Sequence, residues 1–381
     1  MSALLIRGAR LFDGDTWRDD AVIAVADGRF VPASNAPAGA EVIDARGLLV
    51  VPGFIDLQVN GGGGINFNDA PSLKTIERIC TAHARFGTTA LLPTLITDRR
   101  EARTEAIAAG KAARAAGVPG FLGLHLEGPH LSATKRGVHA AAYVRPMDDT
   151  DIRELMGALA GAGPTMLTVA PESTPVDAVR RLVAAGGVIS LGHTDCDYDT
   201  ALAYIAAGAT TATHLFNAMS PLGHRTPGMV GAILESGISA GLIADGIHVH
   251  PAAARIALRA KRGPGRIFLV TDAMLTIGTD LADFELNGRT IFRRDGRLAL
   301  ADGTLAGADI DMLSSVRYAA EHFDIGLDEA IRMATLYPAE AMRVGHRKGR
   351  VAPGFDADFL LMTPTFDLQS TWIGGQKAHS A

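Results

Sequence analysis

The sequence predicts a (β/α)8 barrel of the TIM type carrying a small β-sandwich-like domain built from both chain ends. Eight short apolar runs recur through the middle of the chain, most of them followed by an Ala-rich stretch of helical period, whereas both ends show short strand-like runs punctuated by turn residues. Size agrees: the eight units occupy about 270 residues, the length of one such barrel, and continuous apolar runs suit strands buried on both faces. A doubly wound open sheet is the other architecture this alternation allows.

At the start, residues 4–7, 21–26, 42–43 and 48–51 read as strands, punctuated by Asp27-Gly28 and Pro52-Gly53. At the end, 357–362 follows Pro353-Gly354 and 371–373 precedes Gly374-Gly375. Because chain termini often lie close together, one discontinuous domain of 1–52 plus 345–381 is expected, leaving 53–344 to the barrel. Barrel strands are expected near Gly53, Thr88, Phe121, Met166, Val188, Thr210, Ala240 and Ile267, with helices over 72–86, 99–116, 174–185 and 251–261. After the eighth strand, residues 283–302 alternate around Asn287-Gly288 and Asp295-Gly296, which predicts an inserted hairpin.

Composition narrows the function. The 381 residues are 48% hydrophobic and 20% charged, too apolar for disorder, and no run approaches the roughly 18 apolar residues of a membrane span. A net charge of -5 offers no basic field for nucleic acid. Cys80 and Cys196 are too few for a disulfide framework or a thiolate metal site, and the N-terminus lacks the apolar core of a signal peptide, so the expected location is cytoplasmic.

Chemistry in such a barrel sits at the carboxyl ends of the strands. The polar residues there are Asp56, Gln58 and Asn60, then Glu127, His193, His214, Asp245, His248 and Asp272. Glu127, His193 and His214 would converge as one carboxylate and two imidazoles, a donor set for one divalent ion: Zn2+ first, with Fe2+, Co2+ or Mn2+ as alternatives. A lone strand-end His is more often an ordinary satisfied polar residue, so the joint pattern carries the reading. Asp272 ends a run that should be buried, where a carboxylate must be paired, hydrogen-bonded or near a metal; capping the next helix is its plainer role.

Taken together, Pro52-Gly53-Phe54-Ile55-Asp56, Leu124-His125-Leu126-Glu127-Gly128-Pro129, Gly192-His193-Thr194, Thr213-His214-Leu215-Phe216-Asn217-Ala218-Met219 and Val270-Thr271-Asp272-Ala273 resemble the amidohydrolase superfamily. Within it, the chain is similar to the N-acetylglucosamine-6-phosphate deacetylase family, through Met333–Ala339 and on to Gly354-Phe355-Asp356-Ala357-Asp358. The resemblance implies that Asp272 is general base and acid and that His139 binds the acetyl carbonyl. It also implies that Val138, Asn217, Ala218, Arg225 and His248 contact substrate, the last four around a phosphate, and that Leu305, Ala306, Gly307 and Ala308 close over the sugar. It further implies a homodimer, or a tetramer, in which a neighbouring subunit can contribute to the phosphate pocket.

One departure stands out. Where many amidohydrolases have His-x-His holding a second metal, this chain has Gln58-Val59-Asn60, and neutral amides are weak ligands beside imidazole, so one ion per chain is expected. His248-Val249-His250 is a His-x-His in the wrong place, after the seventh strand. His125 shares a strand side with Glu127 and could orient the site. His130, His224 and His250 have no assigned role. The run Gly61–Gly64 lacks the residues of a phosphate loop, and Cys196 has an ordinary structural position. The expected reaction is hydrolysis of the acetamide of N-acetylglucosamine 6-phosphate to glucosamine 6-phosphate and acetate, in amino-sugar catabolism and cell-wall sugar recycling. The partner is thus a small phosphorylated amino sugar, without nucleic acid or membrane. Another N-acyl amino sugar, a cyclic amide, or a non-catalytic sugar-phosphate-binding barrel are the competing readings.

Overall fold

The computed structural model describes residues 3–381. Its centre is a parallel sheet of eight strands in chain order: Phe54–Val59, Thr88–Ile96, Leu124–Glu127, Thr165–Val169, Val188–Leu191, Thr211–Ala212, Ser239–Ile243 and Ile267–Val270. The residues following the eighth strand close the ring onto the first: the Asp272 N–H donates to the Gln58 carbonyl at 3.0 Å and the Asn60 N–H to the Ala273 carbonyl at 2.8 Å. These strands are buried along nearly their whole length, which only a sheet covered on both faces requires.

Helices coat the outside, including Leu73–Ala84, Arg100–Ala116, Val176–Ala184 and Pro251–Ala260, within two residues of their expected bounds. Their starts are set by local chemistry: the Ser72 hydroxyl accepts from the Thr75 N–H, and Asp197 does the same for Thr200. None is long and apolar enough to cross a membrane among the described residues.

Inside the ring, beneath the carboxyl end, hydroxyls replace aliphatic packing. His125 Nε2 lies 2.7 Å from Thr168 Oγ1, which bonds Thr213 Oγ1 at 2.6 Å, itself 2.6 Å from Ser190 Oγ. His125 is thus held under the site by Thr168 and Thr94, and burial pushes its pKa down to about 4, so it is neutral.

Both chain ends meet in one hydrogen-bonded sheet: Gln376–Ser380, Leu368–Ile373, Phe359–Met362, Leu49–Pro52, Leu4–Phe12, Trp17–Ala26 and Arg29–Val31, with Glu41–Asp44 also paired to Leu4–Phe12. It has a core of its own, in which Ile6, Val25, Phe30, Val50, Phe359 and Trp372 are buried. The inserted segment is larger than the expected hairpin. Asp283–Leu286, Arg289–Arg294, Arg297–Ala299 and Leu305–Ala308 form a four-stranded antiparallel meander. Asn287 (φ 52°) with Gly288 and Asp295 (φ 52°) with Gly296 make its first two turns, the left-handed pairs that favour tight hairpins.

Candidate active site

Glu127 ends the third barrel strand, His193 lies two residues past the fifth and His214 two past the sixth. All three are buried. Glu127 Oε1 lies 3.2 Å from His193 Nε2 and 3.3 Å from His214 Nε2, and the two imidazole nitrogens are 3.1 Å apart. His193 Nδ1 donates to the Lys135 carbonyl at 2.8 Å, so its Nε2 presents a lone pair in the neutral ring. A lone pair facing a carboxylate oxygen at 3.2 Å is a poor arrangement for hydrogen bonding. The edges fit a tetrahedron around a divalent ion, since bonds of about 2.0–2.1 Å imply ligand separations of about 3.3 Å. Burial would raise the pKa of Glu127, but the imidazoles of His193 and His214 beside its carboxylate hold it well below the ordinary range.

His139 also brings a ligand-type atom within 4.8 Å of Glu127 and His193. Its ring is committed elsewhere: the Thr97 N–H donates to His139 Nδ1 at 3.3 Å, and Thr97 Oγ1 lies 2.8 Å from the same nitrogen. Since a backbone amide can only donate, Nδ1 is an acceptor and the neutral ring carries its proton on Nε2. Burial and the neighbouring His193 push its pKa down to about 3, which keeps it neutral. A fixed N–H donor suits a carbonyl better than a metal, so Glu127, His193 and His214 are the better ligand set.

The amides at the expected second-metal positions have a different role. Gln58 Nε2 donates to both oxygens of Glu127 at 3.3 and 3.4 Å and to Asp272 Oδ1 at 3.0 Å, and Asn60 Nδ2 donates to Asp272 Oδ1 at 2.7 Å. Amide N–H groups thus sit between the two carboxylates, where a cation would otherwise offset their charge. Burial and the charge of Glu127 raise the pKa of Asp272, which favours proton uptake by a base. Strain concentrates here: His193 (φ 48°), His214 (φ 30°), Phe216 (φ 78°), Ala218 (φ 51°) and Asp272 (φ 53°) are all left-handed without being glycine.

Glu127, His139, His193, His214 and Asp272 line a cavity of about 180 Å³ together with Asn60, Val138, Asn217, Ala218, His248, Leu305 and Gly307. The Asp245 carboxylate orients His248 through a 2.6 Å bond to Nδ1 and accepts the His248 N–H at 2.8 Å. Any side chain at Gly307 (φ +63°) would run into Met274 and the Asp272 carbonyl.

Three expected contacts lie off the cavity. Ala306 and Ala308 are buried and point away from it, because Leu305–Ala308 is a strand and alternate residues face opposite sides. Arg225 is exposed, in the loop over residues 221–226, outside the cavity of its own chain. His250 caps the helix Pro251–Ala260, accepting the Ala252 N–H, and is exposed. His130 packs within 3.8 Å of Asp151, outside the cavity. His224 is exposed beside Arg225. Cys196 is buried with its pKa pushed up to about 11 by burial, so it is no nucleophile at neutral pH.

Sequence reasoning missed Thr97, which immediately follows the second strand; its polar place at a carboxyl end was the available signal. It also missed the apolar walls Ile96, Ile243, Met274 and Leu286, which resemble any other core residues until the barrel closes. A larger cleft of about 430 Å³ lies elsewhere, where Thr89 and Phe121 of the barrel meet Arg29, Asp356 and Asp358 of the terminal segments. Its charges are largely spent on one another, with Arg347 and Lys348 paired to Asp356 and Lys348 also to Asp358.

A strand-end carboxylate and two imidazoles on a parallel barrel, with an aspartate after the eighth strand, define a hydrolase class that uses a metal ion. The family model "Amidohydrolase family" matches residues 49–378, and the chain belongs to that family. Among its relatives, the N-acetylgalactosamine-6-phosphate deacetylase of Shewanella sp. (strain ANA-3) is 40% identical, over 99% of this chain and 96% of that protein. The N-acetylglucosamine-6-phosphate deacetylase of Haemophilus influenzae is 37% identical, over 95% of each. The crystal structure of N-acetylglucosamine-6-phosphate deacetylase from Pasteurella multocida superposes with a TM-score of 0.93 at 34% identity, covering 100% of both chains.

Proposed function

We propose that this protein deacetylates N-acetylglucosamine 6-phosphate, releasing acetate and glucosamine 6-phosphate, in amino-sugar catabolism. The observation that carries the reading is the buried convergence of Glu127, His193 and His214 beside Asp272 in one small cavity. A single zinc ion is the best match to that donor set, and once bound it supplies Lewis acidity and lowers the pKa of water toward neutrality.

The chain's own residues account for the rest. Asp272 takes the proton of the attacking water and delivers it to the amine nitrogen as the C–N bond breaks, serving first as base and then as acid. The Nε2–H of His139 donates to the acetyl oxygen as negative charge develops there. Gln58 and Asn60 hold the Asp272 carboxylate in place from one side. At the far end of the substrate, the strained backbone at Asn217-Ala218 and the Asp245-oriented His248 offer donors to a phosphate. Arg225, exposed beyond its own cavity, fits a homodimer in which it serves a neighbouring copy.

A second reading, the galactosamine epimer as substrate, is favoured by the Shewanella relative. Acetate release should be measured from both 6-phosphates and from unphosphorylated N-acetylglucosamine, before and after chelation. Release from N-acetylglucosamine 6-phosphate that chelation abolishes and metal restores is expected. Faster release from the galactosamine epimer would move the assignment to that sugar, equal release from the unphosphorylated sugar would remove the phosphate pocket, and none from any would overturn the reading.

A further inference from the structure

We infer that Arg289 is a positioning residue for His139, and that the four-stranded insert holds the base and the carbonyl donor in register through it. The inference rests on the deacetylase reading above.

His139 sits in a segment, residues 131–146, whose only regular structure is one short 3-10 turn, so point contacts alone place its ring. From within the segment, the His139 N–H donates to the Arg136 carbonyl and the Arg136 guanidinium to the His139 carbonyl. From the barrel, Thr97 grips Nδ1. From the insert, Arg289 Nη2 donates to the Val138 carbonyl at 2.5 Å, the only hydrogen-bond donor that carbonyl has among the described residues. Val138 also packs on the insert's small core of Phe284, Leu286, Ile291 and Leu298.

The same insert is tied to Asp272 at its other end. The Ala308 N–H donates to the Asp272 carbonyl at 2.9 Å and the Met274 N–H to the Ala308 carbonyl at 3.3 Å. Its root is fixed by Arg293, whose Nε donates to Asp309 Oδ2 at 2.6 Å, while Thr276 Oγ1 donates to Oδ1. A single sheet therefore touches the backbone of the proposed base directly and that of the proposed carbonyl donor through one arginine. The Asn287-Gly288 turn places Arg289 at the start of its strand, opposite Leu286, a cavity wall. Lysine has the charge but not the planar fork, so it should restore only part of the hold.

The test compares Arg289→Met, Arg289→Lys, His139→Asn and the Arg289→Met/His139→Asn double variant. Arg297→Met, an exposed arginine of the same insert, serves as control. A small displacement of the donor should lower kcat about tenfold in Arg289→Met with KM changed less, and Arg289→Lys should recover part of it. Because Arg289 acts through His139, the double variant should be little slower than His139→Asn alone. NMR of 15N-labelled histidine should show the His139 ring signals moving in Arg289→Met and not in Arg297→Met, without any turnover. Parent-like kcat in Arg289→Met, losses that multiply in the double variant, a loss matched by metal content or thermal midpoint, or an unmoved His139 signal would each overturn the inference. An inactive parent with a moved His139 signal would instead sink the deacetylase reading and leave the positioning intact.

Discussion

Two buried polar clusters in this molecule differ in a way that separates structure from chemistry. Asp151, in the helix Asp149–Leu159, is fully buried, and its oxygens accept from Arg103 Nη2 at 2.7 Å, Arg145 Nη2 at 2.6 Å and the Asp148 N–H at 3.0 Å. Every contact to that carboxylate joins a donor to an acceptor and its charge is met by guanidiniums, although Arg103 Nε is buried without a partner among the described residues. In the Glu127–His193–His214 cluster, the His193 Nε2 lone pair and a Glu127 carboxylate oxygen face one another at 3.2 Å, and His214 Nδ1 and Asn60 Oδ1 are buried without partners among the described residues. Such a cluster is costly unless a cation enters it. Strong burial is common to both; only the second is built around something to be supplied.

The comparison breaks first at Asp272. Asp272→Asn is expected to lower kcat by about 10³-fold, within the span of general acid–base catalysis, while retaining the parent's metal content. An active variant in a steady-state acetate assay removes the base assignment. Asp151→Asn is expected to do the reverse. Removing one partner of a buried ion pair leaves guanidiniums uncompensated, worth about 3–5 kcal/mol of stability by denaturant unfolding, with kcat unchanged where the variant stays folded.

Metal stoichiometry sharpens the contrast. Elemental analysis of purified protein should find about one equivalent per chain, since amide N–H groups occupy the second position. Two tightly held ions would mean that Gln58 and Asn60 turn their oxygens inward. Acid should affect the structural cluster in a defined direction. Burial raises the Asp151 pKa, but Arg145, the Asp148 N–H and Arg103 together hold it far below the ordinary carboxylate value. A depressed folded pKa contributes stability that is complete above the unfolded pKa of about 4 and lost as pH falls below it. Unfolding free energy measured from pH 5 to pH 2.5 should therefore fall more steeply in the parent than in Asp151→Asn. The smallest effect is expected at Cys196, where burial should leave the native thiol unreacted with iodoacetamide at pH 7.5 and activity unchanged.

Much of the site was legible along the chain because a barrel turns strand ends into a shared address. Glu127, His193, His214 and Asp272 each follow an apolar run, so their convergence needed only the fold class. The insert was legible in part: its turn pairs announced themselves, but the fourth strand, Leu305–Ala308, has no alternation of polarity to show which face it turns to the cavity. Arg225 and Arg289 show the limit most clearly. Both are arginines near turns, alike in sequence; one is exposed beyond its own cavity and the other reaches across to the Val138 carbonyl.

Local order along the chain therefore decided the element types, the barrel count and the identity of the strand-end donors, because periodicity and turn chemistry act over a few residues. Tertiary structure alone decided which nitrogen of His139 carries its proton, that Gln58 and Asn60 aim N–H groups at Glu127 and Asp272, and that one sheet bonds both the Asp272 and the Val138 carbonyls. Each of those depends on hydrogen bonds between residues far apart in sequence, whose geometry exists only after the ring has closed.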